Sequence, residues 1–216
     1  MTLSNLRINI DRLLASIESL AEIGAIAGGG VCRMALTDED RQGRDLVVGW
    51  MHELGLDVTI DQIGNVIGIR AGQESGKPVM TGSHIDTVAS GGIYDGNLGV
   101  LAGLEIIATL NDAEITTRKP IGVGFFTNEE GSRFAPDMMG SGVHQGALDF
   151  KKMLDVVDID GVRVGDELEK IGYAGDTLTG NFRADSFVEL HIEQGPILEL
   201  EDYEIGAVEG VQGISW

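Results

Sequence analysis

The 216-residue sequence predicts an α/β layer fold on three observations. Short apolar runs that read as strands alternate with longer segments of helical periodicity. Glycine, with 32 residues, gathers beside the polar runs that follow those strands, where loops must turn tightly. Hydrophobic residues make up 43% and charged residues 23%, enough apolar matter for one core and too much for a disordered chain.

In chain order, residues 5–24 place Leu6, Ile10, Leu13, Leu14, Ile17, Leu20 and Ala21 at helical spacing. Thr37 is suited to cap a second helix that runs to about Leu54, with Gly55 as its stop. Residues 56–62 and 65–70, around Gly64, read as paired strands. Residues 79–82 form a short apolar strand that ends just before His84, and residues 98–110 an apolar helix after a glycine-rich loop. Residues 121–126 read as a buried strand leading to Glu129 and Glu130. Residues 138–173 are expected to be mostly helical, broken at 158–161, and residues 187–190 to form a further strand leading to His191. Residues 205–216 read as a strand entering further structure, because natural chain ends are usually polar and frayed. The sequence is therefore expected to be the N-terminal portion of a longer protein.

The formal charge of −20 disfavours nucleic acid and anionic membranes as partners. No window approaches the apolar length of a membrane span, and the N-terminus lacks a basic start followed by an apolar stretch. The single cysteine, Cys32, forms no internal disulfide and fits a reducing compartment, so the cytoplasm is the expected location.

Four runs carry the chemistry: Gly-Ser-His-Ile-Asp-Thr-Val at 82–88, Tyr-Asp-Gly at 94–96, Thr-Asn-Glu-Glu-Gly-Ser-Arg-Phe at 127–134 and Glu-Leu-His-Ile-Glu-Gln-Gly-Pro at 189–196. Three of them lie just past the C-terminal ends of expected strands, the edge where open α/β sheets bind ligands. Imidazole and carboxylate together suit a metal site. A ligating His84 would give its other ring N–H to a carboxylate, and Asp86 is placed for that; alone, a His-x-Asp pair also arises by chance. Asp95 reads either as a turn aspartate ahead of a helix or as a carboxylate shared by two metals. Glu129 and Glu130 are adjacent, so their side chains diverge, one toward metal and one toward substrate as a general base, unless the pair is a solvated acidic turn. Strand alternation would put Glu189, His191 and Glu193 on one face, which favours a polar site over a core histidine. His52 is expected on the surface and His144 in a structural role. Neither Ser83 nor Ser132 has the partners of a catalytic triad, and the glycine runs match no phosphate-binding fingerprint.

In this order the runs resemble the amidase, or hydantoinase–carbamoylase, branch of the dinuclear zinc aminopeptidase-like hydrolases. That branch includes N-carbamoyl-L-amino-acid hydrolases, allantoate amidohydrolases and β-ureidopropionases. The likeness spans about residues 80–213, and the stretch Gly-Gly-Ile-Tyr-Asp-Gly-Asn-Leu-Gly-Val-Leu-Ala-Gly-Leu-Glu looks most like the carbamoylase side. The resemblance implies a three-layer αβα catalytic domain with a mixed, mostly parallel sheet, truncated here. Residues 1–206 would be the N-terminal part of that metallohydrolase domain, and 207–216 the start of a crossing to a lid or dimerisation domain. It implies two divalent metal ions, zinc or else manganese or cobalt. His84, Asp95 and His191 would hold one; Asp95 and Glu130 would hold the other, with a further histidine from later in the chain. Glu129 would be the general base, Asp86 a second catalytic residue and Gln194 a substrate contact. The implied reaction is hydrolysis of the ureido C–N bond of an N-carbamoyl-L-amino acid, or of a related ureido acid such as allantoate, by a homodimer in the complete protein. The alternatives are a peptidase of the same clan, and an inactive fragment lacking the last metal ligand; the chain by itself is expected to have little activity.

Overall fold

The structure, a computed structural model, describes residues 5–210. Helix α1 spans Ile10–Ala21, shorter than the periodicity of residues 5–24 predicts. The reason is Asn9, whose side chain accepts from the Arg12 N–H at 3.1 Å while its own N–H donates to Glu105 at 2.8 Å, so the helix starts there. Helix α2, Asp38–Glu53, begins at the expected Thr37 cap. Strands β1 (Asp57–Ile60), β2 (Val66–Arg70) and β3 (Val79–Ser83) follow. Next come α3 (Asn97–Asp112) and β4 (Ile121–Phe125). The segment expected to be mostly helical divides into α4 (Met139–Gln145), α5 (Phe150–Leu154) and α6 (Val164–Ile171). Left-handed glycines at 146 and 172 stop the first and last of these. Strand β5 is Ser186–Val188, ending two residues earlier than expected, and α7 is the single turn Ile197–Leu200. Residues 205–210 form no strand, and residues 211–216 of the expected C-terminal strand lie outside the described residues.

Among the described residues the strands form one mixed sheet in the order β1-β2-β4-β3-β5. β2 runs antiparallel to both neighbours, while β4, β3 and β5 pair in parallel, so every strand but β2 shares one direction. The parallel register sets Ser83 opposite Phe125, and the loops carrying His84 and Glu129 therefore leave the sheet side by side. One face of the sheet, with Val66, Val123 and Phe125, packs on apolar side chains of α1, α2 and α3, including Leu20, Met51, Leu104 and Ile107. The opposite face carries Ile67 and Met80, and between them, Phe126, His144, Phe182 and Phe187 lies a cavity of about 480 Å³. No helix among the described residues is long and apolar enough to cross a membrane.

Candidate metal centre

His84 follows β3 directly and is 2% exposed. Its Nδ1 lies 2.9 Å from the backbone carbonyl oxygen of Asp86. A carbonyl only accepts, so Nδ1 carries the proton and Nε2 presents a lone pair. That Nε2 lies 3.8 Å from Asp95 Oδ1 and 3.4 Å from Glu129 Oε2. His191 repeats the arrangement: Nδ1 is 2.7 Å from the Ile192 carbonyl, and Nε2 is 3.5 Å from the same Asp95 oxygen. Donor atoms of His84, Asp95 and His191 thus all lie within 4.8 Å of one another. Two imidazole nitrogens converging on one carboxylate oxygen need positive charge among them, a proton or a cation, and a set of two imidazoles and a carboxylate fits a divalent metal.

Asp95 occupies the turn before α3, and its second oxygen accepts from the Gln194 side-chain amide. Gly96, the next residue, makes the approach of His84 possible. A Cβ there would stand 2.5 Å from three ring atoms of His84, and its φ of +64° already disfavours other residues.

The expected contact between the Asp86 carboxylate and the His84 ring is not the one that forms. Asp86 orients His84 through its carbonyl oxygen, and its carboxylate stands 4.0 Å from the ring nitrogen. That buried carboxylate instead accepts the backbone N–H groups of Glu129 and Glu130, at 3.2 and 3.3 Å. A single residue thereby ties His84 to the loop bearing both glutamates. Glu130 is half-buried there and joins no three-donor group among the described residues. The alternation expected after β5 also fails, because the strand ends at Val188. Glu189 turns to accept from the Ser83 hydroxyl, and Glu193 accepts the N–H groups of Ile197 and Leu198, at 2.9 and 3.0 Å, at the start of α7. His144 packs edge-on to Phe126 beside the cavity on the opposite sheet face, and His52 is exposed on α2, so neither enters the cluster.

Arg133 supports the glutamate loop in a way the sequence did not disclose. It bonds Asp158 and Glu167, each at 2.9 Å, and donates to the Ala35 carbonyl at 3.1 Å. Its place in Glu-Gly-Ser-Arg-Phe was the available signal, but its partners are 25 or more residues away.

The electrostatics follow from burial. Burial pushes Glu130 up to about 7, reinforced by Asp95, Glu129 and Asp86 against the pull of His84. Burial likewise raises Asp86 to about 6, with His84 opposing. For His84 burial lowers the pKa, but Asp86, Glu129 and Glu130 together outweigh it and the net direction is upward. All three groups are thus protonated more readily folded than unfolded. The stability this contributes is full below the unfolded carboxylate values and is lost as pH rises through about 6 and 7. In chelator, the melting temperature should therefore fall between about pH 5 and pH 8, and fall less in Glu130→Gln. The chain's net negative charge adds a background slope common to both proteins, so equal slopes would refute the assignment to Glu130.

Residues 80–212 match Peptidase family M20/M25/M40. An N-carbamoyl-L-amino-acid amidohydrolase of Rhizobium meliloti is 45% identical over 213 residues, covering 98% of this chain and 51% of the relative. An allantoate amidohydrolase of Bacillus subtilis is 36% identical, covering 91% of this chain and 48% of that protein. The crystal structure of a hydantoinase/carbamoylase family amidase from Burkholderia vietnamiensis superposes with a TM-score of 0.91 at 49% identity, over 93% of this chain and 49% of that one. The chain spans about half the length of the curated relatives it matches.

Proposed function

The chain belongs to peptidase family M20/M25/M40, among its hydantoinase/carbamoylase amidases, and from that membership we propose that its site hydrolyses the carbamoyl C–N bond of an N-carbamoyl-L-amino acid or of a related ureido acid such as allantoate. The observation that carries this reading is the convergence of His84, Asp95 and His191 with Glu129 beside them. A bound divalent ion, zinc, manganese or cobalt, supplies Lewis acidity and makes water a stronger acid. His84 and His191 offer Nε2 lone pairs to it and Asp95 a carboxylate oxygen. Glu130, whose titration senses the charge of Asp95, would serve a second ion. Glu129 stands where it can take a proton from the attacking water and return it to the departing amine. Gln194 would touch the ureido group, a reading supported by its hydrogen bond to Asp95. Asp86 holds the glutamate loop in register throughout.

Elemental analysis after zinc loading and desalting tests the centre directly. About one tightly held ion per chain is expected, because one three-donor group is assembled, and His191→Ala should lose it. Carbamoyl amino acids assayed beside dipeptides in a full-length protein carrying this domain test the chemistry, with Glu129→Gln expected to lower turnover by roughly 10²–10⁴-fold. Dipeptide cleavage without carbamoyl cleavage would replace the amidohydrolase by a peptidase. Undiminished turnover in Glu129→Gln would remove the general base.

A further inference from the structure

Arg33 has no solvent exposure, and no carboxylate among the described residues forms an ion pair with it. Burying a guanidinium is costly unless its donors are satisfied. The side-chain hydrogen bonds of Arg33 all go to neutral oxygens, while the charges of Asp40 and Asp86 favour the guanidinium without bonding to it. Nε donates to the Ile85 carbonyl at 2.9 Å, Nη1 to the carbonyls of Leu20 and Ile23 at 2.9 and 2.8 Å, and Nη2 to Asn97 Oδ1 at 3.0 Å. Its main chain adds two bonds to Thr87, accepting from the Thr87 N–H at 2.9 Å and donating to the Thr87 hydroxyl oxygen at 2.8 Å.

The positions of these partners give the arrangement its meaning. Ile85 lies between His84 and Asp86. Asn97 is the first residue of α3, two past Asp95, and its own side-chain N–H reaches back to the Ile93 carbonyl at 3.2 Å. Arg33 therefore bonds the loop that carries His84 and the turn that carries Asp95 through different nitrogens of one rigid plane. We propose that Arg33 is a positioning residue for the metal centre, fixing the His84 loop to the Asp95 turn and so setting the separation of those two ligands. This rests on the metal-binding reading above. Lysine cannot substitute, since one ammonium offers a point charge where the guanidinium offers a planar fork.

Cobalt(II) provides a probe that reports both affinity and ligand geometry. Its dissociation constant would be measured by competition with a chromophoric chelator, and its visible absorption recorded, for the wild type, Asn97→Ala, Asn97→Asp and Arg33→Lys. Asn97→Ala should weaken cobalt binding about 10–100-fold and alter the absorption bands, as loss of support behind a ligand does, while Asn97→Asp, which keeps an acceptor for Arg33, should stay within about threefold of wild type. Ile17→Val, a core lesion in α1, should lower the melting temperature and leave cobalt binding untouched. Should Arg33→Lys fail to fold, the Asn97 pair decides. Wild-type affinity and spectrum in Asn97→Ala would overturn the inference and leave Arg33 a core residue. A wild type that takes up no cobalt would instead overturn the metal reading, and this inference with it.

Discussion

Gly96→Ala is expected to cost the protein its metal while leaving most of its core intact. The new methyl group would sit 2.5 Å from Cδ2, Cε1 and Nε2 of His84, well inside van der Waals contact. The ring has nowhere to retreat, being 2% exposed and held at Nδ1 by the Asp86 carbonyl. Either His84 swings off the cluster or the turn carrying Asp95 moves away, and both separate the ligands. The positive φ at Gly96 adds strain of about 1 kcal/mol or more. Zinc affinity should drop by at least the roughly 10–100-fold that lesions behind a ligand produce. Isothermal titration against zinc would measure it, and a variant that binds within a factor of about three would show that the close packing has no bearing on the site.

Arg44→Leu is expected to produce the largest loss of stability. Arg44 and Asp40 form an ion pair at 2.8 Å with both side chains at 0% exposure. Arg44 also donates to the Gly64 carbonyl at 2.7 Å and to the Thr127 hydroxyl at 3.3 Å, and its guanidinium lies over the rings of Tyr173 and Phe125. Removing it strands a buried carboxylate whose remaining donor is the Leu36 N–H. Such a break costs about 3–5 kcal/mol, or roughly 6–20 °C in melting temperature for a chain of this size. Replacing both partners by leucine should recover much of the loss, because an apolar pair strands no charge. A melting temperature for Arg44→Leu within a degree or two of wild type would contradict the account, as would a double variant less stable than the single one.

These two predictions differ in what the sequence could have offered. The strands before His84 and Glu129 were legible because each is a short apolar run closed by polar residues, and such runs are buried wherever they pair. His84, Asp95 and His191 were legible for the same reason, as polar side chains placed where an apolar strand or a glycine turn gives out. The sheet order was not, since alternation fixes which face a residue takes but not which strand lies beside it; nothing in residues 65–70 says that β2 runs against β4. Arg44 was hidden because α2 begins Asp-Glu-Asp-Arg-Gln-Gly-Arg-Asp, which reads as a solvated helix face. Arg33 and the Asp86 carboxylate were hidden by distance, with partners reaching 64 residues away in one case and 44 in the other. Glu193 was misjudged because periodicity was carried past the point where the strand stops.

His84 and Asp95 hang from β3 and α3, which are packed into the core, but His191 follows a strand that pairs with β3 over three residues, all of them exposed. If the cluster holds an ion as proposed, its third donor would be delivered on a tether, at an effective concentration set by that short pairing and by the hydrogen bond from Ser83 to Glu189. Loosening β5 would dilute His191 while leaving His84 and Asp95 in place. Substitutions along Ser186–Val188 should accordingly register as changes in ion affinity long before they register as changes in folding, making this edge of the sheet a place where metal hold can be tuned independently of the fold.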